Sequence, residues 1–120
     1  MKNFLLRWFP VIFYCSLIFY LSSRPGVGTS HDKLVHLLVY GIMGFLFARA
    51  FRIHLYKMRW VLVFAFLSAT FYGISDELHQ YYVPGRRFEV WDIVADSIGA
   101  FLGAFLYVLP HRLPKFKTSN

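Results

Sequence analysis

Four apolar stretches, each about as long as a bilayer is thick, leave this chain few ways to fold. They cover residues 4–21, 34–51, 60–78 and 90–109. About 20 apolar residues in a helix cross roughly 30 Å of hydrocarbon. A helix also satisfies its own backbone where no water is present to do so. The expected fold is therefore all-α: a polytopic membrane protein, a four-transmembrane-helix bundle formed by one domain over residues 1–120. Composition points the same way. Hydrophobic residues make up 58% and aromatic residues 21% of the 120 residues. So small a soluble core would not hide them.

The first stretch carries Lys2 and Arg7 ahead of its apolar run, as a secretory signal does. No small-residue cleavage site follows, so it reads as a retained helix. Pro10 is expected to kink this helix or end its first turn. "SSRPGVGTS", beginning at Ser22, reads as a loop. Cys15 is the sole cysteine, so no intrachain disulfide forms, and it reads as an apolar filler.

Charge orients the bundle. The formal net charge is +7, but the basic residues flank apolar runs rather than forming one patch, which argues against nucleic acid. Four spans put Lys2, Arg7, Arg49, Arg52, Lys57, Arg59, Arg112, Lys115 and Lys117 on one side. Arg24, Lys33, Arg86 and Arg87 fall on the other. The positive-inside rule then places both termini in the cytoplasm. All six acidic residues, Asp32, Asp76, Glu77, Glu89, Asp92 and Asp96, fall at the opposite, outer ends.

Spacing brings the polar groups together. His36 and Tyr40 share a face of the second span, as do Ser68, Tyr72, Asp76 and Gln80 of the third, and Asp92 and Asp96 of the fourth. His36, Asp76 and Asp96 each sit about 6 Å, one helical turn, below the outer surface. Carboxylates at that depth need the bundle interior, water or a partner. The expectation is one outward-facing pocket holding Asp32, Lys33, His36, Tyr40, Tyr72, Asp76, Glu77, Gln80, Arg86, Asp92 and Asp96. Glu77 points about 100° away from Asp76 and pairs with Arg86 or Arg87, or binds a ligand. His79 and Glu89 read as solvated. Gly99 and Gly103 form a G-x-x-x-G pair that lets another helix approach. Arg86, after the Pro84-Gly85 turn, suits phosphate or carboxylate.

The runs "DKLVHLLVYGIMGF" and "SATFYGISDELHQYYVPGRRFEVWDIVADSIGAFLG" resemble the VanZ-like family of small bacterial membrane proteins, from about Asp32 to Gly103. Asp96 stands where an asparagine is usual, and Glu89 where a small polar residue is common. The resemblance implies a bacterial cytoplasmic-membrane protein of the cell envelope, with an association to glycopeptide (teicoplanin) resistance. It brings no settled reaction and no cofactor.

Four functions fit these residues. One is binding or remodelling of a membrane lipid or lipid-linked envelope precursor bearing phosphate. A second is a hydrolase or phosphoryl-transfer enzyme with His36, Asp76 and Glu77 as acid–base residues. The others are ion-coupled transport, which needs a homo-oligomer, and a structural partner role. A metal on His36, Asp76, Glu77 and Asp96 is opposed by the nearby cations Lys33 and Arg86, and no metal is expected.

Overall fold

The computed structural model describes residues 2–23, 33–84 and 90–112. These residues form four helices and no strand: α1 (Lys2–Ser23), α2 (Lys33–Phe51), α3 (Met58–Tyr81) and α4 (Val90–Arg112). All four are long and apolar enough to cross a membrane. Large apolar side chains face outward along them, Phe9, Phe13, Phe71 and Leu106 among them. Exposed Tyr81, Tyr82 and Trp91 ring one end, and Tyr56 and Trp60 the other. Aromatic belts of this kind sit at the two membrane interfaces.

Cross-helix contacts give the direction of each helix. Lys33 and His36 at the start of α2 meet Asp92 and Asp96 at the start of α4, so these two run parallel. The end of α3 and the end of α1 meet at that same level through Gln80 and Ser22. The bundle therefore alternates up and down. Between α2 and α3 the chain turns within a few residues, held by the Arg52, His54 and Leu55 amides on the last carbonyls of α2.

The closest packing joins α2 to α4, which are not neighbours in sequence. A Cβ on Gly103 would overlap the backbone of Gly41, one on Gly99 the backbone of Leu37, and one on Gly44 the backbone of Ala100. The glycine pair of α4 thus acts as expected, and α2 answers it with small residues of its own. Lipid gives helices no hydrophobic reason to associate, so close backbone approach supplies the attraction. Ala48, Val61, Ala65, Ala104 and Val108 fill the core toward the other end.

Two local expectations change. First, of the two outcomes expected at Pro10 the helix end is the one not seen: α1 continues through it as one helix. Proline has no N–H to give the carbonyl four residues back, and Arg49 Nη1 donates to that Leu6 carbonyl at 3.1 Å. Second, Ser22 and Ser23 belong to the last turn of α1, not to a loop. At the same end the half-exposed His79 also has partners on α1: it stacks on Phe19 at 4.4 Å, and its Nε2 lies 3.0 Å from Ser23 Oγ. Asp32, Arg86, Arg87, Glu89 and the Gly85 half of the expected turn lie outside the described residues.

Candidate functional site

Eight of the residues picked out from sequence gather at one end of the bundle, where α2 and α4 begin and α3 ends. They form two connected groups. In the first, Lys33 Nζ donates to Asp92 Oδ1 at 2.5 Å. His36 Nδ1 lies 2.9 Å from Asp96 Oδ1, and its Nε2 lies 3.7 Å from Asp92 Oδ2. Asp92 and Asp96 are each only 1% exposed. Glu77, also 1% exposed, comes from α3 to the same point. One ligand atom each of His36, Glu77 and Asp96 lies within 4.8 Å of the other two.

In the second group, Tyr40 Oη and Gln80 Nε2 both donate to Asp76 Oδ2, at 3.4 and 3.2 Å. Gln80 Nε2 also reaches Ser22 Oγ at 3.2 Å. Asp76 Oδ1 is buried and has no hydrogen-bond partner among the described residues. His36 and Tyr40, one turn apart on α2, join the groups. Gly73 makes the junction possible: a Cβ there would press on Asp96 at 3.1 Å and on the Tyr40 ring at 3.2 Å.

Both groups border a partly open cavity of about 160 Å³. Its polar side is His36, Tyr40, Asp76, Gln80 and Ser22, and its apolar side is Ile18, Leu21, Val35 and Val39. A larger groove, about 390 Å³, lies along the α2–α4 seam beside Gly41, Gly99 and Gly103. Its walls are apolar throughout, as expected for a lipid-facing surface lowered by glycines. The smaller cavity is the one with chemistry.

Tyr72 takes a different place from its stripe-mates. Its hydroxyl donates to the Cys15 carbonyl at 2.5 Å, which ties α3 to α1. Tyr14 ties α1 to α2 in the same way, through Val39 O at 2.7 Å. The sequence reading missed Ser22 and the spatial role of Gly73. A buried serine in a final helical turn and a glycine one turn before a carboxylate pair were the available signals. Asp32 and Arg86, the remaining expected site residues, lie outside the described residues.

A family model described as VanZ/LLP1 matches residues 4–111. The chain belongs to the VanZ/LLP1 family. The match covers all four helices, so the polar end of the bundle lies within the part shared with the family. This VanZ/LLP1 chain is also similar to an uncharacterized protein of Schizosaccharomyces pombe, with 29% identity over 94 residues, 78% of this chain. It spans 57% of that relative's length. No solved structure matches.

Proposed function

We propose that this VanZ/LLP1 protein binds an amphiphilic, lipid-linked molecule at the outer leaflet, with its phosphate-bearing head in the polar cavity. One observation carries the reading: the cavity has two kinds of wall. Ile18, Leu21, Val35 and Val39 offer apolar contact, and His36, Tyr40, Asp76 and Gln80 offer hydrogen bonds a turn away. A volume of about 160 Å³ is below the roughly 300–1,000 Å³ of pockets that enclose a whole drug-sized ligand. It suits a head group whose tail stays in the bilayer. Arg86, close in sequence to α4, is the residue best suited to the phosphate itself.

The basic residues at the far end orient the site. By the positive-inside rule the termini are cytoplasmic and the cavity faces outward. Labelling Lys57→Cys and Pro84→Cys, each in a Cys15→Ala background, from outside intact cells tests this. Pro84→Cys should react and Lys57→Cys should not; the reverse pattern overturns the orientation.

In a bacterial envelope, such binding is the means by which a member would affect glycopeptide tolerance. The similarity to a fission-yeast protein favours a lipid ligand over one unique to bacterial walls. Lipid mass spectrometry on protein purified in mild detergent is the test, wild type beside folded Arg86→Ala/Asp76→Asn. A phosphate-bearing lipid held by the wild type alone supports the reading. Identical lipids on both count against it.

A second reading, hydrolysis or phosphoryl transfer in the same cavity, is favoured by the His36–Asp96 contact at 2.9 Å. A carboxylate that orients an imidazole prepares it for acid–base work. Release of product from the copurified lipid, lost in His36→Gln, would support it.

A further inference from the structure

We propose that His36, Glu77 and Asp96 form a binding site for one divalent transition-metal ion, and that this ion lets an acidic cavity accept a phosphate head group. The second half rests on the lipid-binding reading above; the first does not.

The described wall presents a charge problem for a phosphate. Four buried carboxylates, Asp76, Glu77, Asp92 and Asp96, stand at this end of the bundle. Lys33 and Arg86 are the two cations that speak against a metal in the sequence, and of these Lys33 lies among the described residues. In the structure its ammonium is engaged with Asp92, which leaves the deeper carboxylates facing His36. Like charges at this depth repel an anion unless a cation stands between them.

The donor set fits such a cation. The three residues come from three helices, α2, α3 and α4, so they converge without any one loop having to fold around the ion. Their nearest ligand atoms lie within 4.8 Å of one another. Ligands at about 2.1 Å from a shared tetrahedral ion lie roughly 3.4 Å apart, so side-chain movements of about 1–1.5 Å close the set. One imidazole with two carboxylates suits zinc, manganese or iron(II). Calcium and magnesium prefer oxygen throughout, and copper(I) prefers sulfur.

A second observation points to a ligand here independently of the cluster. Asp76 Oδ1 is fully buried without a hydrogen-bond donor among the described residues. Asp76 itself is 7% exposed and lies on the cavity wall it shares with His36. A buried carboxylate oxygen left unpartnered is costly. Water bound to an ion on His36 would supply a donor on the cavity side. The ion's open positions would take the phosphate oxygens, as metals do in phosphoryl chemistry.

The test uses the full chain in dodecyl maltoside, stripped with chelator and titrated calorimetrically with zinc chloride. One zinc per chain is expected, with affinity at least tenfold lower in Glu77→Gln and in Asp96→Asn. Ser97→Ala is the control, because its hydroxyl serves only its own helix at Ile93 O, and it should bind as the wild type does. X-ray absorption on the zinc-loaded wild type needs no variant to fold and should show a single imidazole among light-atom ligands. No saturable binding, unchanged affinity in both carboxamide variants, or two or more imidazoles on the metal would each overturn the site. Mixed micelles with phosphatidic acid then test the bridge. Lipid retained with zinc and lost on chelation supports it. Equal retention without zinc overturns the bridge but leaves lipid binding standing. Zinc bound with no lipid in either state overturns the lipid reading and keeps the ion site.

Discussion

His36 and Asp96 meet across the α2–α4 seam, Nδ1 to Oδ1 at 2.9 Å. The contact depends on the glycines that let these two helices approach. The catalytic or binding potential of this end and the packing of the bundle are thus one arrangement. Replacing Asp96 by Ala removes the partner of a mostly buried imidazole. It should lower stability by about 1–3 kcal/mol, read as thermal unfolding in detergent. Asp96→Asn keeps shape and one hydrogen bond and should unfold close to wild type. Equal losses in both would mean that the negative charge, not the hydrogen bond, holds the helices.

The glycines themselves separate by position. A Cβ on Gly103 would overlap the Gly41 backbone, whereas one on Gly41 would sit 3.5 Å from the Gly99 carbonyl, an ordinary contact. Gly103→Ala should therefore destabilise by about 1–3 kcal/mol or more, because backbones must move apart. Gly41→Ala should be near neutral. Matching melting temperatures for the two variants would contradict the packing described.

Arg49 and Pro10 form a coupled pair. The guanidinium caps the Leu6 carbonyl that Pro10 leaves without its helical donor, and Arg7 in turn donates to the Arg49 carbonyl at 2.9 Å. In a double-mutant cycle Arg49→Leu should cost less in a Pro10→Ala background than in wild type, with coupling of about 0.5–3 kcal/mol. Additive effects would mean that Arg49 serves only the membrane interface.

Much of this fold was legible because a membrane demands long apolar helices. Expected and observed helix ends agree within about three residues at each terminus, little more than the one or two by which helix ends are ordinarily uncertain. The shared depth of His36, Asp76 and Asp96 followed from helical rise alone. Other features were hidden for a physical reason. Lipid and protein core both accept apolar side chains, so the pattern does not tell an inward Phe66 from an outward Phe71. Period also gives a residue's face but not its neighbour. From sequence Glu77 stands equally between an arginine and a ligand, whereas in the bundle it turns in toward His36. The α2–α4 pairing was half visible in Gly99 and Gly103, and its other half, Gly41 and Gly44, needed the three-dimensional structure. Ser22 and Ser23 resemble a loop because the last turn of α1 is polar.

Binding of a specific lipid in the two-walled cavity is tested most directly by photocrosslinking in the native membrane. A photoreactive side chain at Val35, on the cavity wall, should capture one phosphate-bearing lipid class far above its share of the bilayer. The same group at Phe71, exposed on the bundle exterior, should capture lipids in bulk proportion. Bulk proportions at both positions would contradict a binding site and leave the polar end as a means of holding four helices together.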